Sequence, residues 1–191
     1  RNFHRFMVAE GHRVDDPSAD TDGVKVPAGI PKPLTEEQIA RLLSAVIGDD
    51  PMALRDRALL ELLYATGARI SEVCGLSIGD LDLEAGMVRL YGKGSKERLV
   101  PVGRHARDAV DAWMRLGRDT FEPRRWARRG DADAVFLNQR GGRLGRQAAY
   151  AVVTRHGDRA GLSGHLSPHV LRHSCATHML DHGADLPIVQ E

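Results

Sequence analysis

The stretch that most constrains the fold runs from residue 167 to residue 191 and reads as a capped helix followed by a turn. Ser167 is a residue type that caps helices, and Pro168 suits the first helical position, where its missing N–H needs no partner. Gly183 can end the helix in a left-handed conformation. The apolar residues predicted to form its buried face recur at every fourth position: Leu171, Cys175 and Met179.

His169 and Arg172 lie three residues apart, so both side chains project from one face of the first turn. A helix N-terminus already favours anions, and a fixed cation and an imidazole beside it predict a phosphate site. The alternative is an ordinary solvated surface, which is the commoner use of a single His–Arg pair.

Histidines at four-residue spacing also raise the possibility of a metal site. A zincin helix would need the H-E-x-x-H pattern, which the sequence lacks. Zinc also needs three or four converging ligands, and Cys74 and Cys175 are roughly a hundred residues apart. We therefore expect no metal and two reduced thiols, as in a cytosolic protein. The histidines in question are His165, His169, His173, His178 and His182.

The whole string H-x-L-R-H-S-x-A-T-H-x-L-x-x-G-A-D-L-x-x-V-Q-E, residues 169–191, resembles the second catalytic box of the tyrosine recombinases, the phage integrase family. It is most similar to the Xer branch of that family. The resemblance implies that His169 hydrogen-bonds the scissile phosphate and assists proton transfer, and that Arg172 stabilises its developing charge. It also implies an upstream Arg box, a Lys in a hairpin turn, and a His and a Tyr downstream.

A-T-G-A-R-I-S-E-V-C-G-L, residues 65–76, resembles the first box of the same family. An apolar helix predicted over residues 52–66 ends at Gly67, so Arg69 begins the next helix from a turn held at both sides. The resemblance implies that Arg69 binds the scissile phosphate and that Glu72 orients the site. Without the resemblance, the simpler interpretation is that an Arg just beyond a helix-ending Gly offsets the dipole of the preceding helix.

Two alternating runs, residues 87–91 and 97–101, flank the turn G-K-G-S-K and predict a hairpin. Two of the chain's four lysines, Lys93 and Lys96, lie in this turn. The resemblance implies that Lys93 enters the DNA minor groove and protonates the leaving 5′ oxygen. A plain surface hairpin or a nucleotide-binding loop are the alternatives, but the P-loop pattern G-x-x-x-x-G-K-[ST] is absent.

The net charge of +1 conceals a gradient along the chain. Residues 1–50 carry six Lys or Arg against nine Asp or Glu, whereas residues 124–172 carry ten Arg against three Asp. A local basic surface on a near-neutral chain predicts a phosphate-binding face, with a solvated Arg-rich surface as the alternative. Besides the four catalytic candidates, we expect these residues at the DNA: Glu72, Lys96, Arg124, Arg125, Arg143 and Arg146.

The predicted fold is mainly α-helical with a small three-stranded antiparallel sheet, an α+β catalytic core that is incomplete at its C-terminal end. Residues 1–33 are interpreted as the remnant of an N-terminal DNA-clamping domain plus a linker, and residues 34–191 as the catalytic domain. The predicted helices begin with residues 35–46, capped by Thr35 and Gln38. Further helices are expected over residues 52–66, 105–116 (with Leu116 inward) and 147–160, and a third strand at 134–137. The 52–66 helix is expected to have a narrow solvent-exposed side formed by Arg55, Asp56, Arg57 and Glu61.

The resemblance implies site-specific recombination of double-stranded DNA through a 3′-phosphotyrosyl intermediate, with sister subunits in a tetrameric synapse. It implies chromosome dimer resolution, a cytoplasmic location, and no metal, cofactor or membrane. No Tyr follows Arg172, so we expect residues 1–191 to be inactive alone, and to self-associate through apolar residues near Leu180, Leu186 and Val189. A non-catalytic DNA-binding module and a metal-dependent phosphoesterase remain as rival functions.

Overall fold

The computed structural model describes residues 2–18, 32–92, 94 and 96–184. The chain divides into two compact units, Arg1–Ile30 and Pro31–Glu191. The first unit contains helix α1 (Asn2–Ala9), on which Phe3 and Phe6 are exposed. Its interpretation as the remnant of a clamping domain stays a prediction. No helix among the described residues is both long and apolar enough to cross a membrane.

Six α-helices lie in the described part of the second unit, and their ends follow local sequence signals. Thr35 accepts a hydrogen bond from the Gln38 N–H and the Gln38 side chain accepts one from Thr35, which confirms the predicted capping box. Ser167 accepts from the Val170 N–H at 3.3 Å, so the predicted cap of the last helix is also confirmed. The helices are α2 (Glu36–Ser44), α3 (Pro51–Thr66), α4 (Ile70–Gly75), α5 (Arg104–Ala112), α6 (Arg146–Arg159) and α7 (Pro168–Asp181).

Helix α3 lies at the centre of this unit and packs against both α5 and α7. Four of its leucines are at most 1% exposed, so the helix is apolar around most of its circumference. Burying each such side chain contributes about 1.5–3 kcal/mol relative to exposure. The second half of α3, which leads into the turn at Gly67, is therefore anchored in the core. The leucines are Leu59, Leu60, Leu62 and Leu63.

A small antiparallel sheet, in the order β1-β2-β3, lies beside the helices. Its strands are β1 (Leu81–Asp82), β2 (Met87–Tyr91) and β3 (Glu97–Pro101), and the β2–β3 hairpin has the predicted bounds. Val88 and Leu90 are fully buried, so one face of β2 joins the core. The mainly helical fold with a three-stranded antiparallel sheet is therefore confirmed.

The third strand was predicted in the wrong place. Residues 134–137 are fully buried but make only isolated bridges, and Leu81–Asp82 is the strand that completes the sheet. The apolar run is typical of a buried strand, but its backbone makes single bonds, to Leu76 and Leu144, and side-chain donors satisfy three of its four carbonyls. These donors are Arg118 to the Ala134 carbonyl at 3.0 Å, Trp113 to that of Val135 at 2.9 Å and Arg55 to that of Leu137 at 3.2 Å.

One smaller prediction about side-chain exposure was also wrong, that for Leu116, whereas Leu180 is exposed as expected. Leu116 was expected to face inward but is 67% exposed, because α5 gives way to a wider π turn at Trp113–Gly117 that shifts the helical phase. Leu180, in the segment expected to be left uncovered, is 37% exposed. Leu186 and Val189 lie outside the described residues.

The side of α3 that was predicted to be solvent-exposed contains a buried ion cluster instead. Asp56 is 1% exposed and Arg55 5% exposed. The Asp56 carboxylate accepts hydrogen bonds from Arg55 at 2.8 and 3.1 Å, from His156 Nε2 at 3.0 Å, and from Arg155. Burial opposes ionisation of Asp56, but the bonds from His156 and Arg55 outweigh it and lower its pKa. This cluster fastens α6 to α3.

Replacing Asp56 with Asn should lower the free energy of unfolding by about 3 kcal/mol at neutral pH, because buried cations lose their counter-charge. The folded pKa of Asp56 is depressed, so its contribution exists above the unfolded pKa and disappears as the pH falls through the folded one. The variant should therefore lose stability less steeply in acid. Chemical denaturation across pH measures both effects.

Asp49→Asn is the matched control, because Asp49 is 89% exposed and pairs with Arg57 at 3.4 Å. We expect a change within about 0.5 kcal/mol for this surface pair. Equal effects at positions 49 and 56 would contradict the assignment of the buried cluster.

Candidate active site

The turn between α3 and α4 is the point to which the site residues converge. Gly67 ends α3 with a φ of 55°, a conformation that favours glycine. A Cβ at this position would lie 3.2 Å from the Cys175 sulfur of α7, so the missing side chain also permits close packing. The turn is thus pressed against α7, the helix that carries Arg172.

Arg69 is the N-cap residue of α4, with an extended backbone. Its N–H donates to Glu72 Oε2 at 2.8 Å and its Nη1 donates to Glu72 Oε1 at 3.0 Å. The side chain is nevertheless 55% exposed. The backbone and one edge of the guanidinium are therefore fixed, while the remaining N–H donors face solvent and can bind an anion.

Glu72 is a buried carboxylate that holds two arginines at once. Its side chain is 2% exposed, and Arg98 donates to it through Nη1 at 3.0 Å and Nη2 at 2.8 Å. Burial by itself would raise the pKa of Glu72, but the bonds from Arg98 and from the Arg69 N–H outweigh it and hold the pKa at about 2. The carboxylate orients side chains, as the resemblance implies, and is too deeply buried to be the DNA contact with which it was grouped.

Arg172, in the second turn of α7, contacts the same α3–α4 turn. Its Nη1 donates to the Gly67 carbonyl, two residues before Arg69. Burial lowers the pKa of Arg172, and the positive charges of Arg69 and Arg98 lower it further. These effects place the three guanidinium groups within one electrostatic neighbourhood, although Arg69 and Arg172 are more than a hundred residues apart in sequence.

A cavity of about 200 Å³ opens beside the arginines. Arg98 and Arg172 contribute its charge, and Gly67 is also part of the lining. Cys175 also lines it, but burial raises the pKa of this thiol to about 11, so it stays protonated and unreactive at neutral pH. The apolar part of the lining includes Leu99, Val100, Pro101, Ala176 and Met179.

For the other predicted site residues, the structure shows no hydrogen bond to the α3–α4 turn among the residues that it describes. His169 is exposed on the first turn of α7, one turn before Arg172. Lys93 lies outside the described residues. Lys96 is exposed, and its carbonyl accepts from the Gly92 N–H at 2.8 Å. The remaining exposed candidates, whose role at DNA stays a prediction, are Arg124, Arg125 and Arg146.

Arg143, which was predicted to contact DNA, is bonded to the protein itself. Its guanidinium donates to the carbonyls of residues 74–76 at 2.7 to 3.3 Å. It also donates to Ser77 Oγ at 3.1 Å and to the Gly130 carbonyl at 3.3 Å. A cation at this position satisfies the carbonyls that end α4, so the geometry gives Arg143 a structural role.

Arg98 was missed by the sequence reasoning, although a signal existed. Strand alternation places Arg98 on the same face of β3 as Val100, whereas Leu99 is 60% exposed on the other face. A charged residue on the inward face of a short strand needs a buried counter-ion, and Glu72 is that partner.

Within the part of the chain that the structure describes, no group of three or more His, Cys, Asp or Glu side chains is arranged to hold a metal ion. Two of the histidines weighed as possible ligands, His178 and His182, have other partners. His178 Nδ1 hydrogen-bonds the Tyr64 hydroxyl at 2.9 Å, and His182 lies 3.5 Å from Glu36.

Comparison with known proteins agrees with this geometry. A family model described as the phage integrase family matches residues 32–191. The chain is 49% identical to "Tyrosine recombinase XerD" of Mycobacterium leprae (strain TN), over all of this chain and 61% of the relative. It is 45% identical to the XerD of Bifidobacterium longum (strain NCC 2705), over 99% of this chain and 62% of the relative. The chain therefore spans about three fifths of the length of these curated relatives.

Solved structures give the same result for the fold. The XerA recombinase superposes with a TM-score of 0.73 at 27% identity, over 86% of this chain and 56% of that one. XerH, described as bound to a palindromic difH substrate in a post-cleavage complex, superposes with a TM-score of 0.71 at 28% identity, over 88% of this chain and 48% of that one.

Glu72→Gln should lower the free energy of unfolding by about 3 kcal/mol at neutral pH, because two guanidinium groups lose a buried counter-charge. The folded pKa of about 2 lies below the ordinary 4.5, so the contribution of Glu72 is complete above pH 4.5 and is lost as the pH falls toward 2. Denaturation curves measured through this range should be flatter for the variant.

Glu97→Gln provides the control, since Glu97 is half exposed and pairs with Arg89 on the hairpin surface. Its effect should stay within about 0.5 kcal/mol. A Glu72 variant as stable as the Glu97 variant at neutral pH would show that the buried carboxylate does not hold the site together.

Proposed function

The chain belongs to the phage integrase family, the tyrosine recombinases, and we propose that it carries phosphate-binding machinery for site-specific DNA recombination. In the proposed reaction a tyrosine hydroxyl attacks the scissile phosphate, forming a 3′-phosphotyrosyl bond and releasing a 5′ hydroxyl. Attack by the 5′ hydroxyl of another strand reverses the step and rejoins the DNA. Because the phosphotyrosine conserves the bond energy, the reaction needs no nucleotide cofactor.

The observation that carries this proposal is the anchoring of two distant arginines to one turn. Arg172 donates to the Gly67 carbonyl, and Arg69 is held two residues later by Glu72. The phosphoryl transition state spreads negative charge over its non-bridging oxygens, where guanidinium groups bind best. We assign stabilisation of this charge to Arg69 and Arg172.

His169 and Lys93 complete the proposed site on the strength of the family resemblance. His169, exposed beside Arg172 on α7, would hydrogen-bond the phosphate and assist proton transfer. Lys93 would protonate the leaving 5′ oxygen from the turn between β2 and β3. Arg124, Arg125, Arg146 and Lys96 would contact the DNA backbone, positioning the duplex without reading its sequence.

We propose that residues 1–191 do not form the covalent intermediate by themselves. All three tyrosines precede Arg172. Tyr64 hydrogen-bonds His178, and Tyr91 and Tyr150 are about half exposed on β2 and α6. Among the described residues, no hydrogen bond joins any of these hydroxyls to Arg69 or Arg172. The attacking tyrosine would therefore have to come from outside these residues.

The biological role that we propose is that of an XerD-type recombinase, namely resolution of chromosome dimers in coordination with cell division. The similarity to curated XerD proteins supports it. The partners would be a double-stranded recombination site and sister subunits in a tetrameric synapse. The location would be the cytoplasm, where chromosomal DNA lies.

The decisive experiment incubates the complete gene product with nicked suicide duplexes bearing the recombination site of an XerD relative. We expect a covalent protein–DNA band that Arg69→Gln and Arg172→Gln each reduce by about 10²–10³-fold. The exposed Arg115, paired with Asp111 on α5, supplies the control variant Arg115→Gln. Binding without any covalent band would favour a non-catalytic DNA-binding module, and cleavage abolished by chelators would favour a metal-dependent phosphoesterase.

The isolated chain should bind duplex DNA in a salt-dependent manner but give no covalent band. Replacing Arg69 by Gln should reduce the magnitude of the slope of log affinity against log salt by about one, because one phosphate contact is lost. Arg115→Gln should leave the slope unchanged. Fluorescence anisotropy over a salt series measures the slope, and an unchanged slope for Arg69→Gln would remove that residue from the DNA interface.

A further inference from the structure

The ion pair between Arg98 and Glu72 joins β3 to the first turn of α4. Both terminal nitrogens of Arg98 donate to the carboxylate, at 3.0 and 2.8 Å, in a bidentate arrangement. Glu72 Oε1 also accepts from Arg69 Nη1. One carboxylate oxygen is therefore shared between the arginine on the strand and the arginine assigned to the phosphate.

Arg98 is badly placed to bind a phosphate itself. Its side chain is 17% exposed, compared with 55% for Arg69, and both of its terminal nitrogens are engaged by Glu72. It lines the cavity next to Arg172, and its charge contributes to lowering the pKa of Arg172. Any effect of Arg98 on a bound phosphate must therefore act through its neighbours.

The same ion pair supports the base of the β2–β3 turn. A Cβ on Gly92 would lie 3.6 Å from Glu72 Oε1 and 3.7 Å from Arg98 Nη1, so the backbone at 92 packs on the paired charges. The Gly92 N–H donates to the Lys96 carbonyl at 2.8 Å and closes the base of the turn. Lys93 is the next residue along the chain.

We propose that Arg98 is a positioning residue that ties the base of the β2–β3 turn, at Gly92, to Arg69 through Glu72. The inference rests on the proposed function, because it assigns Arg98 a task within that site. With Arg98 in place, Glu72 presents Arg69 in one orientation and the base of the turn rests on the same carboxylate. Without Arg98, the buried Glu72 loses its bidentate partner, and both Arg69 and the turn lose their common support.

The first test uses the free chain and needs no DNA. Variants Arg98→Gln and Arg98→Lys are compared with Arg89→Gln, whose residue pairs with Glu97 at 3.0 Å on the solvent side of the same hairpin. The side-chain carboxyl carbon of Glu72 and the Nε–Hε group of Arg69 are followed by NMR from pH of about 2 to 7.

In Arg98→Gln we expect the Glu72 pKa to rise from about 2, because burial remains while the largest favourable hydrogen bond is gone. The Arg69 signal should move with that titration. Arg98→Lys keeps the charge but not the bidentate contact, so its Glu72 pKa should lie between those of Arg98→Gln and the wild type. In Arg89→Gln the Glu72 pKa should match that of the wild type. Thermal unfolding identifies variants that remain folded, and Arg98→Lys serves as the probe if Arg98→Gln does not fold.

The second test measures covalent complex formation by the complete gene product on the suicide duplex as a function of pH. Arg98→Gln should reduce the rate by about 10²-fold, as expected for displaced catalytic groups, with partial rescue by Arg98→Lys and a new loss of rate in mild acid. A merely stabilising residue would not change the pH profile.

A folded variant at position 98 with unaltered Glu72 and Arg69 signals would overturn the positioning role. The wild-type pH profile in Arg98→Gln would do the same. If the NMR shifts occur but the wild-type gene product forms no covalent complex, the positioning role of Arg98 on Arg69 stands and the proposed recombination function fails.

Discussion

The structure depends on how the charge of one buried carboxylate, Glu72, is compensated. An isolated ionised carboxylate is very costly to bury, and the bidentate contact from Arg98 with two bonds from Arg69 offsets that cost. The compensation requires α4, β3 and the turn at residue 67 to keep fixed relative positions. The pairing of one buried charge thus fixes the relative positions of the elements that carry the site.

Asp56 is a second buried carboxylate whose charge is compensated by hydrogen-bonded cations, but with a different structural result. Its carboxylate is also buried, but its partners close around it and fasten α6 to α3. At Glu72 the arrangement leaves the guanidinium of Arg69 half exposed, so part of its donor capacity stays available. Asp56 therefore fastens two helices together, whereas Glu72 fixes a guanidinium group that remains partly exposed to solvent.

Two guanidinium groups, those of Arg69 and Arg98, bond the Glu72 carboxylate, and a third, that of Arg172, is anchored at the neighbouring Gly67 carbonyl, so positive charge exceeds negative charge. The lowered pKa of Arg172 expresses this excess, since burial and the charges of Arg69 and Arg98 all disfavour its protonated form. An anion bound between the arginines would relieve the repulsion and replace water at the exposed donors. Glu72 therefore fixes two of the arginines, and the net positive charge that remains suits the phosphate ligand of the proposed function.

The sequence by itself determined the features that depend on neighbouring residues. The caps at Thr35 and Ser167 and the bounds of the hairpin follow from local hydrogen bonding and alternation, and the two motif strings identified the family. Only the tertiary structure decided that residues 134–137 take side-chain donors rather than a sheet partner, and that Arg143 closes α4. It alone paired Arg98 with Glu72, 26 residues away. Buried charges and carbonyls bind whichever donors the packed chain brings near, and a linear sequence does not show which distant donors those are.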